Sequence, residues 1–334
     1  MFLRFLKNWT LPISMTTGAL LYLCFASIPS LDDLSAKADK VITAVFPFVM
    51  MTILFATFCK VDYKRLKVSR WHLSLMTCHL LLIVFFILLS HLPLLSSDSI
   101  IIHQALMVCI VAPCAAAAPV VTGKIGGSIE SMTSYTLLSN IVSACIIPIV
   151  FTIIPNEPEM VNGHASVIPS TQSILQSLLR STALILLLPM AMAWLVKHYT
   201  PHFHRAVTSV RDLPFYLWAI SLSIVSGLTM KHILHAKASL SLLIILAAGS
   251  LFVCLLQFYL GRKLGKRHNA EIESGQGFGQ KNTAFAIWLA ITHLTPVSSV
   301  APGCYILWQN IINSIEISAH RKKGLGSLER TLKH

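Results

Sequence analysis

Long apolar runs separated by short polar segments dominate this sequence. A membrane-spanning helix needs about 20 mostly apolar residues, and ten runs approach or exceed that length. They lie at about 11–26, 38–58, 71–91, 99–122, 128–154, 171–196, 215–235, 238–260, 274–293 and 296–319. Backbone polar groups find no partner in lipid, so spanning segments must be helices or closed barrels. The stretch 181–194 has no alternation of apolar and polar positions, which a barrel strand would show. The pattern predicts an all-α integral membrane protein with ten transmembrane helices.

The positions of the basic residues support this count. With a cytoplasmic N-terminus and alternating helices, twenty of the 26 Lys and Arg residues lie in cytoplasmic segments. Four lie outside, namely Lys37, Lys40, Lys231 and Lys237, and the last two, Arg180 and Lys281, lie within predicted helices. Basic residues concentrate in cytoplasmic loops of membrane proteins. We therefore predict that both termini are cytoplasmic, in a bacterial inner membrane or a plasma membrane.

Composition excludes several other classes of protein. Hydrophobic residues make up 55% of the chain and charged residues only 12%, whereas soluble domains carry about 25% charged residues. The net charge of +13 does not indicate nucleic-acid binding, because the charges sit in short loops between apolar runs. The eight cysteines form no C-x-x-C pair, so neither a zinc site nor a disulfide framework is predicted. We expect buried free thiols, no metal and no cofactor.

Ten helices can form two sets of five. An odd-numbered repeat inserts its second copy upside down, as in the inverted repeats of many secondary transporters. We predict a first repeat at 1–155, an outer linker at 156–170, a second repeat at 171–320 and a basic cytoplasmic tail at 321–334.

The fourth helix of each predicted half contains residues that interrupt helices. Helix four carries Pro113 and Pro119 around a run of small residues, and helix nine begins with the glycine-rich stretch 275–282. Proline removes a backbone donor and glycine weakens a helix. Broken helices at corresponding positions point to a binding site near the bilayer midplane. The alternative is an ordinary kink in helix four and a plain loop before helix nine.

Four short segments carry a resemblance to a known family. They are 113–120, 127–143, 277–286, and the pair Pro302-Gly303 with Trp308-Gln309-Asn310. These segments, and the ten-helix layout of the whole chain, resemble the bile acid:sodium symporter family. That family has Pro-Gly-Gly-Thr-Ala-Ser-Asn in helix four, Glu-x-Gly-x-Gln-Asn in helix nine and Pro-Gly followed by Trp-His-Asn in helix ten.

The resemblance implies a particular architecture and mechanism. Helices three to five and eight to ten would form a core domain, and helices one, two, six and seven a panel domain. The broken helices four and nine would cross in the core. Substrate would bind between the two domains and move by alternating access.

The sequence departs from the family at the positions that bind sodium there. These positions fall on His79, Ala118, Pro119, Met132, Thr136, Gly277 and Lys281. Sodium is a hard cation that prefers oxygen ligands, including a carboxylate. Here the family's glutamate is replaced by Gly277, and Lys281 puts a cation in place of a glutamine ligand. We therefore predict that transport does not use the family's sodium sites, and a sodium-coupled symporter is the alternative.

Lys281 is the leading candidate for the site. A lysine at membrane depth costs about 2.5–3.5 kcal/mol on insertion scales, and such residues are usually functional. The resemblance implies that its ammonium lies where relatives hold sodium, as a built-in cation or as a group that loads and releases a proton. The alternative places Lys281 in a hydrated cytoplasmic mouth beside Arg267. Nearby positions and family matches add further candidates: Gln280, Asn282, Thr283, Asn310 and, in helix five, Thr136.

Two further ionisable residues lie within predicted helices. Arg180 is near mid-bilayer in helix six and shares a polar face with Gln172 and Gln176. Its planar guanidinium could clamp a carboxylate or sulfonate, and a structural tie to a neighbouring helix is the alternative. His79 in helix three suggests a proton relay or a hydrogen-bonded packing histidine.

The sequence thus predicts a secondary active transporter of a small organic anion, with the anion and the lipid bilayer as its partners. An arsenite-type exporter is one alternative, because such relatives carry a cysteine in helix four and Cys114 lies in the broken stretch. A polytopic membrane enzyme is another, although we find no metal or nucleophile motif. A third alternative is a receptor or scaffold that does not transport. The sequence assigns no oligomeric state.

Overall fold

The computed structural model describes residues 2–28, 32–61, 66–91, 97–154, 160–161, 164–165, 171–210, 213–235 and 238–331. These residues are almost entirely helical. The helices are α1 (Phe2–Ser27), α2 (Asp32–Cys59), α3 (Arg70–Ser90), α4 (Ser97–Val111), α5 (Ala118–Lys124), α6 (Ile129–Ile153), α7 (Thr171–Thr182), α8 (Leu188–Tyr199), α9 (Pro201–Ser209), α10 (Leu213–His235), α11 (Leu240–Lys266), α12 (Glu271–Gly279), α13 (Thr283–His293) and α14 (Val300–Thr331). A π-helical segment (Ala183–Leu187) joins α7 to α8, and a 3-10 turn (Pro296–Ser299) precedes α14. Two short antiparallel strands, β1 (Met160–Val161) and β2 (His164–Ala165), lie within the predicted outer linker.

Six stretches are long and apolar enough to cross a membrane, by length and composition. They are Lys40–Cys59, Arg70–Ser90, Ile129–Ile153, Thr171–Tyr199, Tyr216–His235 and Leu240–Lys266. Three shorter apolar helices cover Ile13–Ser27, Asp98–Val111 and Thr283–His293. The prediction of an all-helical integral membrane protein is confirmed at this level. Each of these nine stretches overlaps a predicted run, and the tenth run covers the 3-10 turn and the first part of α14.

Several helices are longer than the apolar runs that revealed them. Helix α11 continues to Lys266, past the predicted end at 260, and α14 runs to Thr331, across the boundary predicted at 320 for a separate tail. Hydropathy marks only the apolar part of a helix, whereas the backbone hydrogen bonds continue into polar residues. The π-helical segment was not predicted. There the Leu188 N–H donates to the Ala183 carbonyl, and Pro189 follows directly.

Two close helix contacts depend on glycine. Helix α12 folds back along α11 through a turn that contains Asn269, with a left-handed φ of 52°. A Cβ added at Gly265 on α11 would collide with the Ala270 carbonyl. On another side of the molecule, a Cβ at Gly18 of α1 would collide with the Ser223 carbonyl of α10. The absence of a side chain therefore lets both helix pairs approach to backbone contact.

Both predicted helices are interrupted, but the second interruption is shorter than the predicted stretch 275–282, because residues 275–279 lie within α12. Helix α4 ends at Val111 and α5 begins at Ala118, and α12 ends at Gly279 before α13 begins at Thr283. We call residues 112–117 the first break and residues 280–282 the second break. The two breaks run antiparallel and pair between Cys114 and Lys281 in the buried interior.

Candidate functional site

Pro113 leaves backbone groups of the first break without their usual helical hydrogen-bond partners. Pro113 has no N–H to offer the Cys109 carbonyl four residues earlier, so the helical ladder stops. Buried backbone groups must then find other partners. Helix α6 supplies two of them: the Cys114 N–H donates to Ser139 Oγ at 2.9 Å, and Ser143 Oγ donates to the Val111 carbonyl at 3.0 Å. Hydroxyl groups of α6 therefore hold the first break open.

The two breaks also satisfy one another. The Ala115 N–H donates to the Gln280 carbonyl at 2.9 Å, and the Asn282 N–H donates to the Pro113 carbonyl at 2.8 Å. Between these two bonds, the backbone N–H and carbonyl of Lys281 both bond to a side chain of α14. Its N–H donates to Gln309 Oε1 at 2.9 Å, and Gln309 Nε2 donates to its carbonyl at 3.3 Å.

The ammonium of Lys281 lies at the C-terminal end of α4. Its Nζ donates to the Ile110 carbonyl at 2.9 Å and to the Ala112 carbonyl at 3.1 Å. It also lies 5.3 Å from the centre of the Phe278 ring. Carbonyls at a helix C-terminus favour a cation. No Asp or Glu of the described residues pairs with this ammonium. The side chain is 2% exposed, so Lys281 does not lie in a hydrated mouth, as the alternative reading had it.

His79 reaches the same carbonyl as Lys281. Its Nε2–H donates to the Ile110 carbonyl at 2.8 Å, and its ring packs against Phe278 with centroids 5.6 Å apart. Its Nδ1 is buried without a hydrogen-bond partner. The structure therefore brings together two candidates that lie about two hundred residues apart in the sequence, with one main-chain oxygen between them.

Cys114 and Thr136 meet on the other side of the first break. Thr136 Oγ1 donates to the Met132 carbonyl at 2.9 Å and lies 3.7 Å from Cys114 Sγ. Both side chains are buried. Pro119 is also buried, in the first turn of α5. The side-chain amide of Gln280 is fully buried, and neither its oxygen nor its nitrogen has a partner.

Gly277, the position that the resemblance assigns to the family's glutamate, is tightly packed. A Cβ added at Gly277 would lie 3.0 Å from two ring carbons of Tyr135 and 3.4 Å from Leu75 Cδ2. Tyr135 is fully buried in a small cluster with Trp71 and Met132. A larger residue at 277 would therefore require the Tyr135 ring to shift by a few tenths of an ångström.

A pocket opens where the breaks face α2 and α10. It is lined by Met50, Ile53, Leu54, Ala115, Ala116, Ala117, Trp218, Ser221, Leu222, Lys281, Asn282, Thr283, Ala284 and Ile306. Asn282 caps α13, since its Oδ1 accepts a hydrogen bond from the Phe285 N–H at 3.3 Å. Thr283 and Ala284 form the first turn of α13. The pocket therefore has one wall of small residues and helix starts, and an opposite wall that is mostly apolar.

Two predicted site residues lie elsewhere. Arg180 is exposed on α7 and does not line the pocket. Asn310 is buried on α14, one turn beyond the pocket residue Ile306. Its Nδ2 donates to the Ile306 carbonyl at 2.7 Å and lies 3.9 Å from the sulfur of Met15. Asn310 thus faces α1.

The sequence did not single out Gln309, Trp218 or Ser221. Gln309 was within reach, because it lies beside Asn310 in the helix-ten motif. Trp218 and Ser221 carry no such signal, since an aromatic and a serine in an apolar run are common in membrane helices.

No curated protein matches this chain. The sequence pattern of the sodium bile acid symporter family matches residues 47–236, from within α2 to the end of α10. This segment contains the first break and covers more than half of the 334 residues. The chain therefore belongs to the sodium bile acid symporter family.

Proposed function

We propose that this protein is a secondary active transporter of a small organic anion, and that it works by alternating access without the family's sodium sites. Membership of the family supports a membrane transporter of the bile acid or organic anion type. The independence from the sodium sites rests on one observation. The ammonium of Lys281 donates to the carbonyls of Ile110 and Ala112, where the two breaks cross.

Charge repulsion supports the loss of sodium binding. Two unit charges 4 Å apart repel by about 4 kcal/mol at the effective dielectric of a protein, which corresponds to roughly a thousandfold loss of affinity. A sodium ion beside Lys281 would face this repulsion without a compensating carboxylate at Gly277. The ammonium instead provides a resident positive charge that ties α4 to the second break. The crossing is thus assembled without a bound ion.

The pocket supports an organic anion as substrate. The first turn of α13 borders it, and helix N-termini attract anions, as half-helices do in other transporters. Lys281 lines the same pocket, and its ammonium is bound by the nearby carbonyls of Ile110 and Ala112. The opposite wall carries Met50, Trp218 and Leu222, which suit an apolar substrate body. The lining thus offers polar groups for a carboxylate or sulfonate and apolar groups for the body attached to it.

Helix packing supports the division into core and panel domains. Helix α1 packs along α10, and α2 packs against α8 and α10. In the other set, α11 packs against α12, α14 and α4, and α5 packs against α6, while the contact of α6 with α7 connects the two sets. The pocket lies between these two sets of helices. We propose ten spans in two inverted repeats with both termini cytoplasmic, so that relative motion of the two sets exposes the pocket to each side in turn.

Reconstitution into liposomes tests the proposal. We would measure uptake of the bile acid taurocholate, and of simpler carboxylates, in sodium or in choline at equal ionic strength. The expected result is equal uptake in both media, and strict dependence on sodium would overturn the proposal. An ion that binds the folded protein raises its melting temperature in detergent. Because we propose that sodium does not bind, we expect the same Tm in sodium and in potassium.

A further inference from the structure

One polar group in the pocket has no partner in the protein. Ser221 lies on α10 and is 1% exposed, and its Oγ forms no hydrogen bond. The residue nevertheless lines the pocket, as do Lys281 and Asn282. A buried hydroxyl at a binding surface with no protein acceptor is the kind of group that a ligand can satisfy.

Hydroxyl groups in helices usually find a hydrogen-bond acceptor within their own helix. Serine and threonine in a helix commonly donate to a carbonyl three or four residues earlier. In this protein Thr182 donates to the Leu178 carbonyl, and Ser314 donates to the Asn310 carbonyl, both at 2.7 Å. Ser223, two residues from Ser221 on the same helix, donates to the Ser14 carbonyl of α1 at 2.7 Å. Ser221 does neither, and an unsatisfied buried polar group in a native structure calls for an explanation.

We propose that Ser221 Oγ donates a hydrogen bond to an oxygen of the substrate's anionic head group, a carboxylate or a sulfonate. This inference rests on the proposed function and adds a specific recognition residue to it. The hydroxyl acts from α10, while Lys281 and the first turn of α13 act from the breaks. The anionic head therefore lies between the two walls, and the apolar body lies along Trp218 and Leu222.

Stability gives a test that needs no substrate. Ser221→Ala removes an unpartnered hydroxyl from the interior, so we expect its Tm to rise by about 1–3 °C. Ser223→Ala is the matched control, because it makes the same chemical change on the same helix but breaks a hydrogen bond. We expect its Tm to fall by about the same amount. A fall for Ser221→Ala as well would mean that its hydroxyl has a protein partner, and the inference would fail.

Transport gives the second test. For taurocholate, Ser221→Ala should raise KM by about 10-fold or more, because hydrogen bonds to charged groups are strong. Ser221→Thr keeps the hydroxyl and should stay near the wild-type KM, and Ser223→Ala should leave KM unchanged. An unchanged KM for Ser221→Ala would overturn the inference.

The two proposals can fail separately. If the wild-type protein takes up none of the anions in any medium, the proposed function fails. The inference is then decided by ligand binding in detergent, where an anion should raise the Tm of the wild-type protein more than that of Ser221→Ala. Equal shifts, or no shift for either protein, would reject Ser221 as an anion-binding residue.

Discussion

The two breaks cross at one point but contribute different chemistry. The first break is built from alanines around Pro113 and Cys114, and it offers mainly backbone groups. The second break consists of Gln280, Lys281 and Asn282, and it offers polar side chains as well. The positive charge of the site comes from the second break, and the carbonyls that receive it come from the end of α4 and the first break. A cation site can thus be shared between the backbone of one segment and a side chain of another.

The breaks also differ in what supports them. Hydroxyls of α6 hold the first break through Ser139 and Ser143, whereas the Gln309 amide of α14 holds the second. The family's sequence pattern includes the first break but ends at 236, before the second. The segment that carries the new charge is therefore the one that lies outside the matched region. The following substitutions test whether the second break supplies the positive charge of the site and the first break only supports its structure.

Removing the charge should have the largest effect. In Lys281→Met the Ala112 carbonyl loses its hydrogen bond from Nζ, and the crossing loses its only resident cation among the described residues. We expect uptake to fall by at least about 10-fold and Tm to fall as well, because an unsatisfied buried carbonyl costs about 1–3 kcal/mol. Uptake by proteoliposomes and melting in detergent measure the two effects. Lys281→Arg, which keeps the charge, is the control, and unchanged uptake in Lys281→Met would contradict a role for this cation.

Restoring the family's carboxylate should not restore sodium dependence. In Gly277→Glu the new side chain would press on the Tyr135 ring, and overpacking costs about 1–3 kcal/mol. We expect a lower Tm, with no difference between sodium and potassium. Gly277→Ala separates the steric effect of the Cβ from the effect of the carboxylate. A sodium-specific rise in the Tm of Gly277→Glu would show that a sodium site survives beside Lys281.

Weakening the scaffold of the first break should have the smallest effect. Ser139→Ala removes the acceptor of the buried Cys114 N–H, so we expect a loss of about 1 kcal/mol of stability, the low end of the cost of an unsatisfied buried group. Uptake should stay equal in sodium and choline, since no charge is altered. Thr133→Ala is the control, because this α6 residue is only half-buried and bonds to the Ile129 carbonyl of its own helix. A change in ion dependence in Ser139→Ala would mean that the first break does more than support the second.

The features that sequence predicted well are those with local causes. Apolar runs locate the helices because burial in lipid requires them, and the prolines locate the first break. The glycine-rich stretch locates the second break only approximately, because its glycines lie within α12. Lys281 was found because a charge within an apolar run is costly enough to need a reason. The sequence likewise placed Arg180 near the middle of the predicted helix six. The position of a residue along a helix does not show which neighbouring element its side chain faces. The structure places Arg180 on an exposed surface of α7.

The features that sequence missed depend on contacts between distant segments. The carbonyls of Ile110 and Ala112 became acceptors only because the chain crosses there. Gln309 and Ser221 differ from other polar helix residues only in what surrounds them, and a single sequence does not record those surroundings. The π-helical segment likewise depends on how the helix fits its neighbours, although Pro189 was a visible sign of local disturbance.

The glycine contact between α1 and α10 bears on how the pocket moves. Gly18 lets α1 touch the α10 backbone at Ser223, and a Cβ at Gly227 would lie only 3.2 Å from the Gly18 carbonyl. Two helices pressed together at this distance cannot slide or rotate independently without a clash. The two helices are therefore expected to move as one rigid unit, which includes the pocket residues Trp218 and Ser221 of α10. Any movement of the apolar pocket wall on α10 therefore requires α1 to move with it.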